Sequence, residues 1–124
     1  MVDADHMVAA VEAYVRNYNR SDLDGLCAVF AEDAVIEDPV GTPPHAGQAA
    51  LREFFAIGFS AGARLTLNGP VRCTADHAAF ALHVNLEWDG RATRIDVIDV
   101  FTFDALGKVC GMKAYFGPAN MGAA

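Results

Sequence analysis

From Phe80 to Trp88 the sequence alternates strictly: Phe80, Leu82, Val84, Leu86 and Trp88 are interleaved with Ala81, His83, Asn85 and Glu87. A period of two over that length marks a half-buried strand. The run leads directly into Asp89-Gly90, the strongest short hairpin signal, because a two-residue turn of the right twist needs residues that tolerate positive φ. A partner strand over residues 91 to 103 must follow, and the turn fixes its register. Trp88 faces Arg91, Val84 faces Ile95, Leu82 faces Val97 and Phe80 faces Asp99. Asp99 therefore falls in an apolar row with Ile95, Val97, Phe101 and Phe103. A second turn, at Asp104 to Gly107, returns the chain through residues 108 to 117. As a four-residue loop it sets Met112 opposite Asp99, with Cys110 and Ala114 on the same face.

The first half of the chain has a different period. Met7, Ala10, Val11, Tyr14, Val15 and Tyr18 recur at three- and four-residue intervals, which predicts an amphipathic helix over residues 5 to 19 with Tyr14 on its apolar face. Ser21, with Asp24 three residues on, reads as the N-cap of a short second helix that buries Leu23, Leu26, Cys27 and Phe30. Residues 34 to 38 predict a short strand ended by Pro39, residues 41 to 47 (GTPPHAG) a loop, and residues 48 to 58 a third helix with Leu51, Phe54, Phe55 and Gly58 inward. Helices first and a mainly antiparallel sheet afterwards predict one α+β domain over residues 1 to 124. Its three helices cover one face of a curved sheet, whose concave face encloses a pocket.

Composition narrows the function. With 53% hydrophobic and 20% charged residues the chain supports a packed core. A formal charge of -7 without clustered basic residues excludes nucleic acid and anionic membranes as expected partners. The acidic start, MVDADHMVAA, is not a signal peptide, and no apolar run is long enough to span a bilayer, so a soluble, cytoplasmic protein is expected. Cys27, Cys73 and Cys110 lack the pairing of a zinc or redox site. His6, His45, His77 and His83 lack metal-ligand spacing, and no glycine loop suited to phosphate occurs, so neither metal nor cofactor is expected. Residues 58 to 62 match G-x-S-x-G, but between a helix and a strand, the reverse of the arrangement that exposes a nucleophilic serine.

Three residues break the hydrophobic pattern. Asp99 sits where a carboxyl is costly to ionise. Burial raises its affinity for a proton, and a neutral carboxyl is a hydrogen-bond donor. A bulge turning Asp99 to solvent, or backbone donors reaching it, are the alternatives. Tyr14 places a phenol on an apolar helix face, where its hydroxyl needs a partner. Asp38 shares the inward face of Ala34 and Ile36 at the rim of the sheet, although an aspartate before proline is also a common turn residue. Asp96, opposite His83 and beside Arg94, reads as a solvated charge pair, and Glu37 points outward.

Together, Tyr14, Asp38 in EDPVG and Asp99 in VIDVFTF resemble ketosteroid isomerase, or steroid delta-isomerase. The likeness extends through SDLDG, the LREFF helix and KVCGMKAYFG, covering nearly the whole chain. The resemblance implies the cone-like fold of the nuclear transport factor superfamily, a homodimer, no cofactor and a small-molecule steroid substrate. The implied reaction moves a double bond of a 3-oxo-steroid from the β,γ to the α,β position. Asp38 would carry the proton from C4 to C6, while Tyr14 and protonated Asp99 donate hydrogen bonds to the dienolate oxygen. Phe54, Phe80, Val84, Leu86, Phe101, Met112 and Phe116 would form the walls. Phe55 stands where relatives often carry a tyrosine supporting the catalytic one, and Phe30 replaces another tyrosine, so Tyr14 would lack its usual supporting hydroxyl. Two other functions are compatible with the same fold: a cofactor-free cyclase or dehydratase, and a non-catalytic carrier of apolar molecules.

Overall fold

A computed structural model of the chain describes residues 2–124. Helix α1 (Ala4–Asn19) starts where Asp3 accepts a hydrogen bond from the His6 backbone, and it buries Met7, Val11, Tyr14 and Tyr18. Helix α2 (Leu23–Cys27) is capped by Asp22, which accepts from the Gly25 backbone at 3.0 Å, and not by Ser21, which takes positive φ in the connecting turn. Leu26 and Cys27 are buried as expected, but Phe30 belongs to the first strand, β1 (Phe30–Glu37), which begins four residues before the predicted start. The loop after Asp38 contains a two-residue strand, β2 (His45–Ala46), paired to β1. Helix α3 (Gln48–Ser60) follows, with Leu51 and Phe55 fully buried.

The sheet is completed by β3 (Arg64–Leu67), β4 (Arg72–Cys73), β5 (His77–Trp88), β6 (Arg91–Phe103), β7 (Val109–Tyr115) and β8 (Met121–Ala123). Its main path runs β2-β1-β7-β6-β5-β3, with β4 joined to β5 and β8 to β6. The sheet is mixed, because β1 and β7 pair in parallel while the other pairs are antiparallel. It is unclosed, and the three helices lie against it in the expected α+β cone. Strands β3 and β4 are too short to display a period, which is why alternation does not mark them individually.

The long hairpin has the predicted register from Trp88↔Arg91 to Phe80↔Asp99. Asp89 and Gly90 both take positive φ, as a two-residue turn of this twist requires. Along β6 the inward residues Ile95, Val97, Asp99, Phe101 and Phe103 are buried, whereas Asp96 and Ile98 are exposed. The bulge that could have turned Asp99 outward does not occur.

The second hairpin corrects the prediction. Phe103 pairs with Val109, not with residue 108, and the register slips again between Thr102 and Phe103. Asp99 therefore faces Ala114, and Met112 faces Phe101. Two one-residue displacements sum to two, which restores the original face: Met112 and Ala114 are both buried, as an even shift demands. Among the described residues no helix is long and apolar enough to cross a membrane.

Candidate active site

The helices and the concave face of the sheet enclose a cavity of about 490 Å³. Tyr14 reaches it from α1, Asp38 from the end of β1, and Asp99 from the middle of β6, so the structure brings all three pattern-breaking residues to one space. Of the predicted walls, Phe54, Val84, Leu86 and Phe116 line it. Phe80, Phe101 and Met112 do not. They are buried behind the cavity, where Phe101 packs edge-on to Tyr14 at 5.2 Å and to Phe80 at 5.0 Å. The reason is the depth of the cone: Asp99 occupies the last row open to the cavity, and one pair further along β6 the core closes beneath Tyr14.

Among the described residues the wall carries no cationic side chain. Its side chains with polar atoms are Tyr14, Tyr18, Asp38, Asp99 and Trp88, and no described lysine, arginine or histidine lines it. Arg94 and Asp96 pair on the outer surface at 3.0 Å, as the alternation predicts. Without a counter-ion, desolvation controls the carboxyls. Asp99 is 3% exposed, and burial, reinforced by the charge of Asp38, holds its carboxyl well above the usual aspartate range. Burial alone pushes Asp38 up to about 7. Tyr14 is raised as well, by burial and then by the charges of Asp99 and Asp38. The cavity thus sets a carboxyl biased towards its protonated form beside a phenol and a second carboxyl that gains and loses its proton at about pH 7.

Tyr14 is held by rings. Phe30, Phe55, Phe80, Phe101 and Tyr18 all meet it edge-on, with centroids 5.2 to 6.4 Å away. Phe55 and Phe30 supply hydrocarbon where a tyrosine would supply a hydroxyl, and no other residue among those described hydrogen-bonds to the Tyr14 hydroxyl. Every side-chain nitrogen or oxygen shut off from solvent has a partner, so the unpartnered oxygens of Tyr14, Asp38 and Asp99 open into the cavity. Among the described residues no group of three or more His, Cys, Asp or Glu side chains is arranged to hold a metal ion.

Two wall residues with polar atoms, Tyr18 and Trp88, were missed by sequence reasoning. Tyr18 lies one helical turn after Tyr14, and that spacing, read there only as helix periodicity, puts both phenols on the same face.

A curved α+β cone with two carboxyls and a phenol around an apolar hollow defines a class of small-molecule-handling domain. The sequence profile of the SnoaL-like domain matches residues 11–112, and the chain belongs to that family. It is 38% identical over 120 residues to the steroid delta-isomerase of Nocardioides simplex, covering 93% of this chain and 96% of that protein. A shorter stretch of 38 residues is 47% identical to the epoxide hydrolase LasB of Streptomyces lasalocidi, covering 31% of this chain and 14% of that protein. Among solved structures, the epoxide hydrolase/cyclase-like enzyme SalBIII, described as acting in pyran ring formation in the polyether salinomycin, superposes with a TM-score of 0.94. It is 29% identical, with each chain fully covered.

The raised Asp38 has a consequence for stability. A carboxyl whose affinity for a proton is higher folded than unfolded stabilises the fold while it is protonated. That contribution is lost as pH rises from the ordinary aspartate value of 3.8 through about 7. Asp38→Asn ionises in neither state and escapes the loss. Thermal unfolding should therefore show the variant gaining on the parent between pH 5 and pH 8, by on the order of 5 °C at the higher value. A pH-independent difference would mean that Asp38 is freely solvated.

Proposed function

We propose that this protein is a steroid delta-isomerase that brings the double bond of a 3-oxo-delta5-steroid into conjugation with its carbonyl, without a cofactor. The observation that carries the reading is the pairing, in one apolar hollow, of an aspartate titrating near neutrality with a protonated carboxyl and a phenol. The Nocardioides relative supplies the substrate class. Ionised Asp38 takes the proton from C4, and the electron pair moves through the dienolate onto the carbonyl oxygen. Tyr14 and protonated Asp99 donate hydrogen bonds to that oxygen. Asp38 then returns the same proton to C6, so no atom is gained or lost. A base titrating near the working pH is ionised often enough to act and basic enough to take the proton. Donors fixed in a dry site need little reorganisation as charge develops. Phe54, Val84, Leu86 and Phe116 would hold the carbon skeleton.

The likeness to SalBIII supports a second reading. A base and a protonated acid in one hollow are also equipped to remove a hydroxyl proton and protonate an epoxide oxygen, as ring closure onto an epoxide requires. The histidine-centred base expected of a dehydratase has no counterpart, because no histidine lines the cavity. We further assign the outer face of the sheet as a homodimer surface. Ile98 is 46% exposed and pairs with Tyr115, itself 48% exposed, beside partly buried Val100.

Incubation with a β,γ-unsaturated 3-oxo-steroid should produce the ultraviolet absorbance of the conjugated enone. Its absence, together with turnover of an epoxy-alcohol, would favour the cyclase. Asp38→Asn should lower turnover by roughly 10² to 10⁴ while steroid binding persists. Tyr14→Phe should cost on the order of 10² to 10³, and Asp99→Asn, which keeps a donor, should be milder than Asp99→Leu. Because Asp38 acts ionised, kcat/KM should rise with pH through a midpoint near 7, not near the ordinary aspartate value. Sedimentation at micromolar concentration should find dimers, and Ile98→Asp should shift them to monomers; a monomeric parent would overturn the assembly.

A further inference from the structure

Two features meet at Tyr18, at one point of the cavity wall. Its side chain is 8% exposed, its ring packs edge-on to Phe59 at 5.1 Å and to Phe55 at 6.1 Å, and its hydroxyl bonds to no other described residue. That oxygen opens into the cavity, and a ligand that covered it with hydrocarbon would leave it unpaired at a cost of about 1–3 kcal/mol. The second feature is Gly58, which lies inside α3, where glycine is less favourable than alanine by about 1 kcal/mol. Its reason is visible: a Cβ at position 58 would collide with the Tyr18 hydroxyl. Gly58 also lines the cavity, so the phenol tip lies over a notch in the helix, facing the hollow.

The position of this hydroxyl separates it from the proposed oxyanion donors. The charge that acts most on Tyr18 is that of Asp38, whereas Asp99 acts most on Tyr14. Tyr18 lies one helical turn after Tyr14 on α1, and its hydroxyl meets α3 at Gly58 on the cavity wall. A ligand with only hydrocarbon there would strand the phenol, and a site built to hydrogen-bond an oxygen rejects an analogue that lacks it.

We propose that Tyr18 is a specificity-determining residue whose hydroxyl, seated over Gly58, hydrogen-bonds a second oxygen of the ligand, on the part of its skeleton beyond the oxygen that meets Tyr14 and Asp99. The substrate class is thereby an apolar polycycle oxygenated at two separated positions. This deepens the isomerase reading and rests on it for the identity of the first oxygen.

The test is equilibrium binding by calorimetry, with no turnover required. The probes are 2-naphthol, which offers the floor one phenol, and 2,6- and 2,7-dihydroxynaphthalene, which add a second at different separations. At least one diol should bind the parent more tightly than 2-naphthol. Tyr18→Phe should weaken that diol on the order of tenfold while leaving 2-naphthol within about twofold. Gly58→Ala, which displaces the hydroxyl without deleting it, should erase the same preference. Equal effects of Tyr18→Phe on mono-ol and diols, or no preference for a diol in the parent, would overturn the role of Tyr18 and leave the isomerase reading intact. Failure of 2-naphthol itself to bind, or 2-naphthol binding that survives Tyr14→Phe and Asp99→Leu unchanged, would overturn the floor assignment and this inference with it.

Discussion

A carboxyl group surrounded by hydrocarbon cannot hold its charge without a partner, and the cone offers Asp99 none. Its cross-strand neighbours are Phe80 and Ala114, both buried, and no cation faces the cavity. The acid therefore keeps its proton, and that retained proton gives the hollow a donor where a carboxylate would only accept. The proposed chemistry follows from it. Burial raises Asp38 to about 7, and a difference in enclosure between two identical side chains is what suits them to the two roles proposed for them, acid and base.

What made this arrangement legible was parity. Alternation from Phe80 to Trp88 and the Asp89-Gly90 turn determine which side of the sheet Asp99 must occupy, and Cα pairing follows that register through every residue of the hairpin. The partner across β7 was not legible, because neither the longer turn nor the extra residue Cys110 opposite Thr102-Phe103 has a signature in the sequence; only the adding of two one-residue slips to an even number kept the face correct. Depth was equally hidden. Phe80 and Phe101 alternate inward like the true walls, but nothing in their spacing says that the cavity ends at Asp99 and that these rings lie beneath Tyr14. Short polar segments misled in a simpler way: Ser21 and Asp22 are both good caps, and which one points its oxygen at Gly25 is decided by the turn's backbone angles.

Aromatic packing serves two purposes in this chain. Edge-on contacts around Tyr14 fix the phenol's direction without a hydrogen bond, so its donor capacity is left for whatever occupies the hollow. The nearness of this chain both to a steroid isomerase and to a ring-forming epoxide enzyme is understandable on the same grounds. The groups proposed to react are generic, a base opposite a neutral acid, and on that reading selectivity comes from the apolar wall and the few oxygens set into it.

The parallel pairing of β1 with β7 joins residues near 30 to 37 with residues near 109 to 115. Met121 and Pro118, closer still to the C-terminus, complete the cavity wall. Contacts of such long sequence separation form late, since the intervening loop must close before they reward the chain. The helices and the long hairpin can therefore collapse first, yet the end of β1 that leads into Asp38 gains its long-range partner only when β7 docks. A chain caught before that step would be folded in part and empty-handed, its binding hollow completed by the last pairing to form.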